Sequence, residues 1–168
     1  MIRPALAFLL AAGVGGAWSG PEQAKPDVRI FASLEEAAPS RGGAVLLVFF
    51  STTCVVCYDD LLESRFMVEK SGWPVAVVGV HLGPYEDLLA FLEKYRWDLP
   101  VVLDRRKHLF RKFQVTAVPD KALLVGEDVV HRDDPYRDHG QRREELRQCL
   151  EGIFGRGNSR SSAAPRST

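Results

Sequence analysis

Three side chains in this 168-residue sequence are thiols: Cys54, Cys57 and Cys149. Two of them frame the tetrapeptide Cys54-Val55-Val56-Cys57. A pair at that spacing serves as a redox dithiol, as half of a zinc site or as a structural disulfide. A structural zinc site takes a second Cys pair or a closely spaced His pair. Here His81, His108, His131 and His139 are scattered and Cys149 stands alone, so no metal is expected. A Cys54–Cys57 bond closes a very short loop and adds little entropic stabilisation compared with a long-range bridge. Its value is chemical, and the chemistry is thiol–disulfide exchange.

The elements that must position the pair support this. Ala44 to Phe50 is a continuous apolar run, which suits a strand buried on both faces. After the turn Ser51-Thr52-Thr53 the pair opens a helix, which puts Cys54 at a helix N-terminus. Unpaired N–H groups and the helix dipole there favour an anion and lower a thiol's pKa. Cys57, one turn later, lies on the same side but deeper, placed to attack a mixed disulfide and release the reduced substrate. Val55 and Val56 offer the Cys54 thiolate neither hydrogen bond nor charge. They predict a modest rather than a strong lowering of its pKa and lean toward a reductant.

Further along, Leu61 to Lys70 reads as helix and Val75 to His81 as a second buried strand. Tyr85 to Tyr95 carries Leu88, Leu89, Phe91 and Leu92 on one stripe. A short segment at Pro100–Asp104 precedes a helix bearing Leu109, Phe110 and Phe113. Lys121–Val125 and Asp128–Arg132 flank Gly126-Glu127 as a hairpin, and Gln141 to Phe154 closes the fold as a helix. The order is βαβ, then a helix, a hairpin and a final helix, giving an α/β fold whose central mixed sheet has helices on both faces. Cys149 shares a helical face with Leu146, Leu150 and Ile153 and is expected in the core. His81 is expected as a structural hydrogen-bonder, and Phe49, Phe50 and Phe113 as core.

The ends differ in character. Residues 1–19 combine Arg3 with an apolar stretch from Pro4 to Ala17 and the small-residue site Ala17-Trp18-Ser19, the pattern of a cleaved signal peptide or an N-terminal anchor. Residues 20–27 read as a flexible leader, 28–155 as the folded domain and 156–168 as a disordered tail. Export to a periplasmic or other external compartment lets disulfides persist. Acids and bases balance at 22 each, which argues against a nucleic-acid partner.

The segment Phe49-Phe50-Ser51-Thr52-Thr53-Cys54-Val55-Val56-Cys57 resembles the active site of the thioredoxin superfamily. Val75-Ala76-Val77-Val78-Gly79-Val80, Leu99 to Asp104 and Phe113 to Pro119 resemble its exported TlpA/ResA-type branch. The resemblance covers roughly residues 28 to 152. It implies a thioredoxin-like fold and a dithiol reductase with no cofactor beyond the Cys54–Cys57 pair. It also implies disulfide-bearing protein substrates, apocytochrome c among them, and a membrane thiol as electron donor. Pro119, after Val118, matches the family's cis-proline, which presents backbone to the substrate beside the disulfide; X-Pro is the bond where cis is cheap. Asp60 matches the acid that helps move protons at the buried thiol, where the branch commonly has Glu. Val48 stands where other members carry a buried Asp.

Thr53 replaces the usual Trp before the first cysteine, Val56 replaces a common Pro, and Asp120-Lys121 replaces the usual Thr after Pro119. The resemblance places the substrate-facing set at Thr53, Val118 and Pro119, and the change to Asp120-Lys121 directly after it predicts altered partner contacts. Two rival functions remain. A peroxiredoxin-type peroxidase finds Ser51 in place but Leu47 where it needs Pro. A copper chaperone or non-catalytic binding module favours Cys-x-x-x-Cys, one residue longer than the spacing here, with His131 or His139 as a distant ligand.

Overall fold

The computed structural model describes residues 28–38 and 43–155. The expected signal segment, leader and tail lie outside the described residues. Among the described residues six strands form one sheet: β1 (Ile30–Phe31), β2 (Ala44–Phe50), β3 (Val75–His81), β4 (Val101–Leu103), β5 (Asp120–Val125) and β6 (Asp128–Arg132). Their order is β1-β4-β3-β2-β5-β6. The first four run parallel, β5 is antiparallel to β2, and β6 pairs antiparallel with β5. Five helices connect or close the strands: α1 (Leu34–Ala37), α2 (Cys57–Ser71), α3 (Tyr85–Lys94), α4 (His108–Lys112) and α5 (His139–Phe154).

Period-two geometry explains why β2 is apolar throughout. Successive side chains point to opposite faces, and both faces are covered. Leu46, Val48 and Phe50 enter one core with Cys57, Leu61, Leu88, Leu123, Leu146 and Leu150, beneath α2, α3 and α5. Leu47 and Phe49 enter the other, with Val78, Val80, Val102 and Phe113. Leu34 of α1 and Leu109 and Phe110 of α4 pack on that second core. Phe49 meets Phe110 edge-on at 5.1 Å between ring centres. Leu88, Phe91 and Leu92 of α3 are buried as the stripe requires, and Leu89 lies at its margin.

Several expectations need correction. The pair does not open a helix: α2 begins at Cys57, and Cys54 sits in the preceding turn. β1 and α1 went unassigned because a two-residue strand and a four-residue helix carry too few residues for a period. The last helix starts at His139, where Asp138 and Gln141 form a capping box. Cys149 is half-buried at the edge of the core, its Sγ 3.8 Å from the Val130 carbonyl oxygen, and its neighbour Ile153 is exposed.

His81 is buried at the end of β3, its Nδ1 3.4 Å from the Phe50 carbonyl oxygen. Burial pushes its imidazole below the ordinary 6.5, against the opposing pull of that carbonyl and of Asp87. A folded pKa below the unfolded one means the contribution is complete above pH 6.5 and lost as pH falls from there toward the folded value. Urea midpoints of the wild type should therefore fall on acidification from about pH 7.5 to about pH 5.5, by at most about 1.4 kcal/mol per unit from this residue. His81→Gln should flatten that part of the profile.

Candidate active site

β2 delivers the chain to a pair of turns. The Cys54 N–H donates to the Ser51 carbonyl at 3.1 Å, and the Cys57 N–H donates to the Cys54 carbonyl at 3.3 Å. Ser51 Oγ lies 3.0 Å from Thr53 Oγ1 and accepts from the Thr53 N–H at 3.3 Å, holding the first turn closed. Cys54 and Cys57 are disulfide-bonded with Cα atoms 5.4 Å apart. Their environments differ sharply. Cys57 is fully buried, Cys54 is half-buried, and between them Val55 is 90% and Val56 56% exposed. Attack from outside can reach only the Cys54 sulfur. With its N–H committed to Ser51, Cys54 faces the start of α2 from the turn before it rather than from the first helical residue.

Val118-Pro119 is a cis peptide bond. The Val118 carbonyl oxygen lies 3.9 Å from Cys54 Sγ, so a reduced Cys54 thiol has an acceptor beside it. Pro119 is buried, and its carbonyl accepts from Arg142 Nη1 at 2.9 Å. Thr53 is exposed next to Cys54. The expected substrate-facing residues Thr53, Val118 and Pro119 are thus gathered around one sulfur.

Asp60 lies one helical turn after Cys57, on the same buried face of α2. It is not the solvated carboxylate that an early helix position often holds. Lys121 Nζ donates to Asp60 Oδ1 at 3.0 Å and to Oδ2 at 2.9 Å. The same ammonium forms an ion pair with Asp133 Oδ2 at 2.9 Å, and all three residues are buried. Arg142 Nη1 stands 3.9 Å from Asp133 Oδ2, and His131 Nε2 stands 3.5 Å from Asp133 Oδ1. Burial opposes the Asp133 charge, but His131, Lys121 and Arg142 outweigh it and hold the carboxyl below its usual range. On the other side, His139 Nε2 lies 2.8 Å from Asp60 Oδ1 and 3.6 Å from Glu63 Oε2.

Sequence reasoning does not mark Lys121, Asp133 or Arg142 as site residues, and it weighs His139 only as a distant copper ligand. Lys121 pairs with Val48 across β2 and β5 and shares a face with Leu123. Strand alternation alone therefore marked it as inward-facing, while its charge argued for solvent. Asp120 is buried as well, its pKa raised by burial against the pull of Arg132. Neither residue of the Asp120-Lys121 departure is open to a partner. Asp60, Glu63 and His139 bring metal-binding atom types within 4.8 Å of one another. The Lys121 ammonium already neutralises both Asp60 oxygens, so we do not read them as metal ligands. A cleft of about 750 Å³ lined by Ile30, Leu34, Val102, Leu109 and Lys112 opens on the other face of the sheet, and none of its lining belongs to this site.

Residues 28–132, the cysteine pair and the cis-proline included, match the AhpC/TSA family. The chain belongs to that family. This AhpC/TSA-family protein has the thioredoxin-like fold that the sequence resemblance implied. It superposes on a Chlorobium tepidum protein described as a thiol:disulfide interchange protein, DsbE, with a TM-score of 0.59 at 22% identity, covering 68% of this chain and 82% of that one. StoA from Bacillus subtilis gives 0.55 at 19% identity over 67% and 86% of the two chains. The exposed lipoprotein thioredoxin of Streptococcus pneumoniae gives 0.56 at 18% identity over 69% and 89%. No curated protein matches the chain.

The ion cluster of this AhpC/TSA-family protein is a stability element as well as a candidate proton site. Lys121→Met leaves two buried carboxylates without their ammonium and should cost about 3–5 kcal/mol in urea unfolding. Replacing the three groups together, Asp60→Leu, Lys121→Met and Asp133→Leu, should recover most of that loss, because no uncompensated charge remains buried.

Proposed function

We propose that the protein is an exported thiol–disulfide oxidoreductase that reduces disulfides in other proteins through Cys54 and Cys57. The observation that carries this is the asymmetry of the pair: a reachable Cys54 sulfur bonded to a fully buried Cys57, beside the Val118 carbonyl and cis-Pro119. In the reduced protein the Cys54 thiolate attacks one sulfur of a substrate disulfide, forming a mixed disulfide and expelling the first substrate thiolate. Cys57 then loses its proton to Asp60 and attacks Cys54 Sγ. The Cys54–Cys57 bond forms, the bond to substrate breaks, and the substrate leaves with both its sulfurs reduced. Two electrons pass to the substrate, and a membrane thiol donor returns two to the pair.

Val118 and Thr53 flank the attacked sulfur and orient the substrate chain, while Arg142 holds the Pro119 carbonyl back in the protein. Export is supported by the signal-like residues 1–19 and by the pneumococcal neighbour, described as an exposed lipoprotein. Among the described residues no helix is long and apolar enough to cross a membrane. An apocytochrome c during haem attachment is one substrate of the right chemistry.

Mixing with an oxidised protein substrate tests the assignment of roles. Cys57→Ser should accumulate a mixed disulfide through Cys54, visible as a reducible covalent adduct, and Cys54→Ser should form none. Asp60→Asn should slow release of substrate from the mixed disulfide by roughly 10²-fold, the low end of what a positioned proton-transfer group contributes. Consumption of hydrogen peroxide without any disulfide reduction would contradict the proposal and favour a peroxidase.

A further inference from the structure

A proton accepted by Asp60 has to leave a buried site. Asp60 is 2% exposed, and its oxygens face Lys121 from β5 and His139 from the start of α5. Lys121 is a poor carrier. It is buried and bonded to both Asp60 and Asp133, so giving up a proton would leave two buried carboxylates facing each other. His139 differs in both respects. Its Nε2 sits 2.8 Å from Asp60 Oδ1, within proton-transfer distance, and its side chain is 41% exposed. Imidazole is also the side chain that exchanges protons near neutral pH, taking one on one ring nitrogen and releasing another from the second.

We infer that His139 is the proton relay between Asp60 and solvent, an inference that rests on Asp60 acting as the acceptor for Cys57. In the forward direction the Cys57 thiol proton goes to an Asp60 oxygen as the Cys57 sulfur bonds to Cys54 Sγ and the Cys54–substrate bond breaks. Asp60 hands that proton to His139 Nε2, and the imidazolium releases its Nδ1 proton to water. The departing substrate thiolate takes its own proton from solvent, and no electrons move beyond those of the disulfide exchange. Reduction of the Cys54–Cys57 bond runs the relay backwards.

Charged groups of both signs surround the relay. Asp60 and Glu63 of α2 favour the imidazolium, with Glu63 Oε2 3.6 Å from Nε2. Opposing them are Lys121 of β5 and the positive end of α5, where His139 is the first helical residue. Arg143 of α5 draws on Glu63 at 3.3 Å, and Asp133 and Arg142 lie one step further along, beyond Lys121.

The test is a single-turnover reaction of the reduced full-length protein with oxidised glutathione carrying a fluorophore, reading the rate of the second thiol release across pH. His139→Ala should slow that release by about tenfold or more. It should also remove the imidazole-like limb of the pH profile, and added imidazole should restore the rate by entering the space left. His139→Gln, which fills the space without a titrating group, should be slow and unrescued. Urea midpoints of both variants report whether the fold is kept. His139→Ala reacting at the wild-type rate and pH profile overturns the relay. So does His139→Ala slowed but indifferent to imidazole, since a structural role alone gives that result. Asp60→Asn separates the two readings: slow Asp60→Asn with fast His139→Ala rejects only the relay, whereas wild-type rates in both reject Asp60 as the acceptor too.

Discussion

The structure turns on one buried ammonium. Lys121 lies between Asp60 and Asp133, and all three are buried. Desolvating a lysine and two carboxylates costs several kcal/mol per ion, offset only when the geometry joins them tightly. That requirement links three parts of the chain in addition to the sheet ladder and the shared core. The parts are the helix that follows the cysteines, the strand that follows the cis-proline, and the segment between β6 and α5. Arg142 extends the linkage by reaching both Asp133 and the Pro119 carbonyl. The two halves of the redox site, the disulfide and the cis-proline, are thus anchored to one electrostatic cluster.

The cluster also gives the site its chemical character. Two carboxyl groups, Asp60 and Asp133, share the one Lys121 side chain, with Arg142 at the margin of the cluster. A buried thiolate forming at Cys57 adds a negative charge, so ionisation there favours proton uptake nearby over an uncompensated anion. The half-exposed His139 stands at one end of the site and the exposed Val55 and Val56 at the other.

Much of this was legible from residues alone. The continuous apolar runs at Ala44–Phe50 and Val75–His81 marked strands buried on both faces, and the hairpin at Gly126-Glu127 marked the antiparallel edge. Cys54, Cys57, Asp60 and Pro119 stood out by spacing and resemblance. The missed features share physical reasons. The start of α2 shifted because Ser51 captures the Cys54 N–H, a local bond that helix propensity does not register. Lys121 was overlooked because charge outweighs alternation in any reading by residue type, although its place two residues before Leu123 put it on the inward face. Its partner Asp133 lies 12 positions further on, and His139, which meets Asp60 rather than Lys121, 18 positions further on; both are brought there by the tertiary fold.

The central claim is that Cys54 and Cys57 form a working redox couple. It is tested most directly by equilibrating the protein in graded dithiothreitol buffers and counting free thiols. The account predicts a reversible two-electron couple near thioredoxin's ~−270 mV, where the pair is reducing toward protein disulfides. The absence of any reversible couple at Cys54 and Cys57 would contradict it.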